Sequence, residues 1–233
     1  EILIGLVGSE MCIRDSNYGN EIQTLETFVQ QVRQNPGYHL GAIGNKGLIN
    51  MIREVLQNSL DELDKESSPC SEVFLSFDES TQTTTVIDNG RGIPFDNMVR
   101  IFATSSTSSN YTKKKGEYSS GLHGVGAKVT NAMSSKFIVE SYILGKGRRV
   151  EFTEGYPWNK GSKGEVDIKS PSQYQGTFVT FTPSVTALGD TNVTWQEVHT
   201  LACKILPLCK IGAALHFNGI DANAVSYTHL RAH

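Results

Sequence analysis

An α+β fold, with helices on one face of a mostly antiparallel sheet, is what the sequence predicts. Three observations carry it. Apolar residues recur at helical spacing between Leu48 and Leu63. Short runs of period-two alternation, rich in β-branched and aromatic residues, come in pairs joined by polar turns. A second helix opens on a capping box at Thr194 and Glu197.

In chain order, the first element is a helix whose stripe is Leu48, Ile49, Ile52, Val55, Leu56, Leu60 and Leu63. At about 100° per residue, Glu54, Asn58 and Asp61 fall within roughly 40° of one another on the opposite side. A solvated surface would explain a polar face, but Asn58 is a poor helix former for that purpose. Glu72 to Phe77 follows, with Val73, Leu75 and Phe77 on one face, and Thr83 to Ile87 pairs with it. Thr104 to Gly116 is too polar to pack and reads as a mobile loop. Gly121-Leu122-His123-Gly124-Val125-Gly126 then runs into a helical pattern through Val125, Val129, Ala132 and Met133. Phe137 to Leu144, a Gly145-Lys146-Gly147 turn and Arg149 to Thr153 read as a hairpin. Phe178 to Phe181 is a short strand stopped by Pro183. The capping-box helix runs through Val198, Leu201, Ala202, Ile205 and Leu206 to about Pro207, and Ala214 to Phe217 can form a last strand.

Composition narrows the function classes. At 233 residues and 38% hydrophobic, the chain can bury one sizeable core. Its net charge of −3 gives no sign of a broad nucleic-acid surface. The four cysteines form no C-x-x-C pair and the six histidines no H-E-x-x-H, so neither zinc nor a disulfide framework is indicated. Reduced thiols and a cytoplasmic location are expected, and no apolar run has transmembrane length.

Two segments bear on chemistry. Val86-Ile87-Asp88-Asn89-Gly90-Arg91-Gly92-Ile93-Pro94 ends a β-branched run in a carboxylate, two glycines and a proline. One acceptor side chain is left at a strand tip, and the glycines let main chain approach a flat ligand such as an adenine ring. A simple hairpin turn is the competing interpretation, since Asn-Gly is a strong hairpin signal. The glycine cluster at Gly121 to Gly126 suits a phosphate, because free amides at a helix start point at an anion. A Walker A loop is excluded, since Ala127 separates Gly126 from Lys128 and no Ser or Thr follows the lysine. A Rossmann fingerprint is excluded by glycine order.

Taken together and in order, four segments resemble the ATP-site motifs of the GHKL superfamily. They are Arg53 to Glu62, Ile87 to Pro94, Gly121 to Gly126, and Gly176-Thr177-Phe178-Val179. Asn-Ser-x-Asp-Glu, Gly-Arg-Gly-Ile-Pro and Gly-Leu-His-Gly-Val-Gly are similar to the ATPase domain of type IIA topoisomerases: gyrase B, its topoisomerase IV counterpart and phage relatives. The resemblance runs from about Ile22 to Asn218. It implies a two-layer α/β sandwich of the GHKL (Bergerat) type with ATP and Mg2+ between sheet and helices. By the same resemblance Glu54 is the general base and Asn58 the magnesium ligand. Asp88 accepts from the adenine amino group, with Thr177 beside it. Gly92, Ile93 and Pro94 floor the base, and Gly121, Gly124 and Gly126 offer amides to the phosphates. Leu122, His123 and Val125 complete that loop, His123 being as well explained by packing. Asp61 and Glu62 belong to the site, and Glu62 is an ion-pair partner for Arg91. The 104–116 loop matches the ATP lid.

The departures and ends are also informative. Ser120 replaces a glycine, and Tyr38-His39 replaces Met-Tyr. The family's transducer lysine has no counterpart in the matched stretch, so weak turnover is expected of the chain by itself. Residues 1–16 and 225–233 are similar to translated sequencing-adaptor stretches and are expected to be non-native, leaving 17–224 as the ATPase domain. The resemblance further implies a homodimer made through an N-terminal arm and transducer, with DNA and the DNA-cleaving subunit engaged through other domains. It also implies aminocoumarin inhibitors that use Asp88, Arg91 and an arginine of the next hairpin, either Arg148 or Arg149. The expected function is ATP-driven strand passage. The alternatives are a nucleotide-binding module that does not turn over, against which Glu54 stands, and a GHKL chaperone or kinase domain.

Overall fold

The computed structural model describes residues 28–65, 67–103, 125–157, 164–170, 174–205, 214–220 and 225–231. Two short helices, 28–34 (α1) and Pro36–Leu40 (α2), precede the long helix Gly44–Asp64 (α3). Helix α3 begins before the apolar stripe and buries Leu48, Met51, Ile52, Val55, Leu56 and Leu60 almost completely. The predicted strand pair is Glu72–Asp78 (β1) and Thr83–Asp88 (β2), with Val73, Leu75 and Phe77 buried and Phe74 turned outward.

A 3-10 turn at Phe95–Asn97 leads to α4 (Met98–Ala103), and α5 (Gly126–Ala132) leads to β3 (Ser134–Ile143) and β4 (Lys146–Thr153). The remaining elements are β5 (Glu165–Lys169), β6 (Gly176–Pro183), α6 (Val185–Leu188), α7 (Trp195–Ile205), β7 (Ala214–Ile220) and β8 (Val225–Arg231). They make an eight-stranded sheet in the order β5-β4-β3-β6-β2-β1-β7-β8. Every neighbouring pair is antiparallel except β1 with β7. Strand β8 carries the 225–231 stretch that the sequence sets apart from the domain, and its backbone pairs with β7.

Helices α3 and α5 cover one face of the sheet, where Phe137 packs against Phe102, Phe152 and Phe181. The capping box forms as expected: the Thr194 amide donates to Glu197 Oε2 and the Glu197 amide to Thr194 Oγ1. Two expectations shift. The β3–β4 turn is Leu144-Gly145, both at positive φ (51° and 77°), instead of Gly145 to Gly147. Two residues of that hand match the twist of the flanking strands. Gly147 is a strand residue, and a Cβ there would meet Tyr142 and Ile168 at 2.9 Å. Strand β5 and the short helices α2, α4 and α6 have no counterpart among the predicted elements. β5 is largely exposed along its length, so it carries no alternation to read.

Candidate ATP site

The site is organised by strand register. Val73, Asp88, Thr177, Ser141, Arg148 and Asp167 are successive cross-strand partners from β1 through β2, β6, β3 and β4 to β5. The row lies on the face that the helices cover, because period two carries Asp88 from Thr84 and Val86, and Ser141 from Phe137 and Val139.

Asp88 closes β2 with only 5% of its surface exposed. Its Oδ2 accepts from the Ser59 hydroxyl of α3 at 3.0 Å, and its Oδ1 from the Gly90 amide at 3.0 Å. Burial pushes its carboxyl up to about 6 against these bonds and one from the Thr177 backbone. Glu62 behaves oppositely. Burial acts to raise it too, but Arg91, Ser68 and Lys65 bond it and hold it down at about 2. Arg91 Nε reaches Glu62 Oε1 at 2.6 Å and Arg91 Nη2 reaches Oε2 at 3.0 Å, the expected ion pair in forked form.

The segment after Asp88 is fixed by the protein itself. Asn89 Oδ1 accepts from the Ser71 and Glu72 amides and ties the tip to β1. Gly92 sits at φ +73°, where a Cβ would meet the Tyr142 carbonyl and Ile143 at 2.8 Å. Ser141 takes the Ile93 amide at 2.7 Å and donates to the Ile93 carbonyl at 2.8 Å. The glycine that the sequence explains by a flat ligand is thus required by contacts to β3, and Ile93 and Pro94 follow in fixed position.

At the other end, Glu54 is half-buried on α3 with its carboxylate directly against Gly126, so that a Cβ there would push the Glu54 side chain aside. Burial raises its pKa, Arg53 opposes the rise and Asp61 adds to it. Asn58 is exposed one turn further on, and Asp61 is half-buried beyond it. Glu54, at one end of the face it shares with Asn58 and Asp61, therefore borders the start of α5 instead of being only solvated. Val125 packs on the core beside it. Gly121, Leu122, His123 and Gly124, like the 104–116 loop, lie outside the described residues.

The hairpin arginines separate by face. Arg148 shares the helix-side face with Val150 and Phe152, bonds Asp167 at 2.9 Å and lies over the Phe95 ring at 5.3 Å. It lines a groove with Phe95, Gly147, Asp167 and Ile168. Arg149 points to the other face, paired with Glu140 and Glu151.

Residues 45–187 match the family described as histidine kinase-, DNA gyrase B-, and HSP90-like ATPase. The chain belongs to that family. It is 30% identical over 210 residues to the DNA gyrase B protein of Streptococcus pyogenes, covering 87% of this chain and 31% of that protein. It is 34% identical over 176 residues to the gyrase B protein of Borreliella burgdorferi, covering 71% and 26%. The corresponding type 2 topoisomerase subunit of Aquifex aeolicus is 33% identical over 178 residues, covering 73% and 22%. The chain thus spans about a third of these relatives or less. Among solved structures, the 43K ATPase domain of Thermus thermophilus gyrase B in complex with an aminocoumarin superposes with a TM-score of 0.67 at 25% identity, over 85% of this chain and 50% of that one. The sandwich and the GHKL assignment made from the motifs agree with these likenesses.

Three residues that bear on the site went unassigned in the sequence. Ser59 interrupts the apolar flank of α3 and Ser141 the buried face of β3, so a hydroxyl at a core-facing position was a legible signal for both. Tyr174, whose phenol donates to the Asp88 carbonyl at 2.7 Å, precedes β6 and carries no such signal.

Proposed function

We propose that the chain binds ATP and hydrolyses it as the N-terminal ATPase domain of a type IIA DNA topoisomerase, gyrase B-like. The observation that supports this best is Asp88, a buried carboxylate on the cross-sheet row, on the face that the helices cover, with one hydrogen-bond donor from within the chain on each of its oxygens. The adenine amino group donates to Asp88, Thr177 hydrogen-bonds beside it, and Gly92 to Pro94 underlie the ring. Glu54 orients the attacking water and takes its proton as oxygen bonds to the γ-phosphorus and ADP departs, a task that a carboxylate of raised pKa suits. Asn58 is the residue that would hold Mg2+, since its exposed amide oxygen is a hard, neutral donor. The ion neutralises phosphate charge when bound. In the parent enzyme, ATP-driven dimerisation would couple to DNA strand passage in the cytoplasm, with DNA and the cleaving subunit engaged by other domains.

Calorimetric titration of the full chain with a non-hydrolysable ATP analogue and Mg2+, then with an aminocoumarin, tests this. Mutually exclusive binding is expected. Simultaneous binding of both, or no nucleotide binding, would overturn the assignment of the pocket.

A further inference from the structure

We propose that the Tyr174-Gln175 segment is a clamp that positions Asp88 for the base, and so sets nucleotide affinity and base selectivity. This rests on the ATP reading above and deepens it. The Asp88 carboxylate is held on the helix side by Ser59 and Gly90, but its backbone is held from the segment that leads into β6. There the Tyr174 phenol donates to the Asp88 main-chain carbonyl at 2.7 Å, and Gln175 Nε2 donates to the Arg91 carbonyl at 3.2 Å. The two bonds bracket the segment from Asp88 to Arg91 and leave its side chains untouched.

The clamp is itself braced. Tyr174 meets Tyr142 and Phe178 edge to face at centroid distances of 5.5 and 5.4 Å, and Tyr142 meets Phe178 at 5.5 Å. Such three-ring packing fixes a phenol better than a lone exposed tyrosine could. The next residue but one, Gly176, stands at φ +147° with its α-carbon so close to the Asp88 carbonyl that a Cβ would overlap it. The chain therefore crosses directly behind the strand tip, and the phenol reaches the carbonyl from there. Burial raises the phenol's pKa, with the Asp88 charge adding to it, so it stays a donor at all ordinary pH. Tyr174 touches no ligand in this arrangement. It acts through the height and tilt of Asp88, which makes it a positioning residue.

The test is the affinity of the full chain for ATP and GTP analogues by calorimetry. Tyr174→Phe keeps the rings and deletes the bond, and should weaken the ATP analogue by about threefold to tenfold, the scale of one net hydrogen bond. Its preference for adenine over guanine should narrow with it. Tyr142→Phe is the matched control, since that hydroxyl bonds Glu140 and not the tip, and should leave affinity unchanged. Gln175→Ala removes the second strut without disturbing the rings and should weaken binding by a smaller factor, which decides the matter if Tyr174→Phe fails to fold. Wild-type affinity and selectivity in the folded Tyr174 and Gln175 variants would overturn the clamp. Loss of adenine binding in the wild-type chain would instead overturn the ATP assignment, so the two failures are distinguishable.

Discussion

The two ends of the nucleotide site are built on different principles. At the end proposed for adenine, Asp88, Thr177, Ser141 and Arg148 come from four strands, and their spacing is set by hydrogen-bonded register. At the end proposed for hydrolysis, Glu54 stands on one helix with its carboxylate against Gly126 on another. The first end is held by directional bonds and the second by a packing contact. Recognition should therefore be stiff and turnover sensitive to how closely α3 and α5 approach.

The largest expected effect lies at the hydrolytic end. Glu54→Gln should retain ATP-analogue affinity and lose at least about a hundredfold in turnover, the usual scale for a removed general base. Steady-state phosphate release from a longer chain that includes the transducer, with binding measured in parallel, checks this. Wild-type hydrolysis would erase the division of labour between the two ends.

Asp88→Asn tests the other side. Losing a charge-assisted bond in a desolvated pocket costs about 1.5 to 3 kcal/mol, so roughly a tenfold to hundredfold loss of affinity for ATP and for an aminocoumarin alike. Unchanged calorimetric affinity would remove Asp88 from base recognition.

A smaller effect, on pH, sharpens the contrast between Asp88 and Glu62. The folded chain binds the Asp88 proton more tightly than the unfolded chain, about 6 against the ordinary 3.8. The stability contributed by that proton is complete below the unfolded value and is lost as pH rises through about 6. For the ligand the sign reverses, because the ionised carboxylate is the better acceptor. ATP affinity should fall about tenfold from pH 7.5 to 5, while Asp88→Asn, lacking the group, shows only the titration of ATP itself. Glu62, held at about 2, stays ionised throughout, and its stabilisation is lost only as pH falls from 4.5 toward that value. The smallest effect concerns the hairpin. Arg148→Ala should weaken an aminocoumarin severalfold in the same titration and Arg149→Ala should not, because only Arg148 shares the face of Asp88.

What was legible in the sequence follows from the same contrast. The helix face of Glu54 and Asn58, the strand tip at Asp88 and the Glu62–Arg91 pair all sit within contiguous stretches whose spacing encodes them. Choosing Arg148 over Arg149 required the register of β4 against β3, which a hairpin turn one residue away from its expected place would have reversed. Ser141 is marked by its place on a buried face but its partner lies 48 residues away, and Tyr174, whose partner is 86 residues away, has no local periodicity to mark it at all. Strand β5 lacks a buried face, so nothing in its sequence announces it.

The cross-sheet row has a kinetic corollary. Its members span positions 73 to 177, and the parallel pairing of β1 with β7 joins 72 to 214. Within that network the pairing of Asp88 with Thr177 and of β1 with β7 joins residues far apart in sequence, and closing such long loops costs more chain entropy than closing a hairpin. A half-zipped chain has no base pocket, only fragments of one. On the proposed function, nucleotide is then a ligand of the finished sheet alone, and at a hundred times its dissociation constant it would add about 2.7 kcal/mol to the native state. A thermal-melt series against ATP analogue concentration would read the completeness of the sheet as directly as it reads the occupancy of the site.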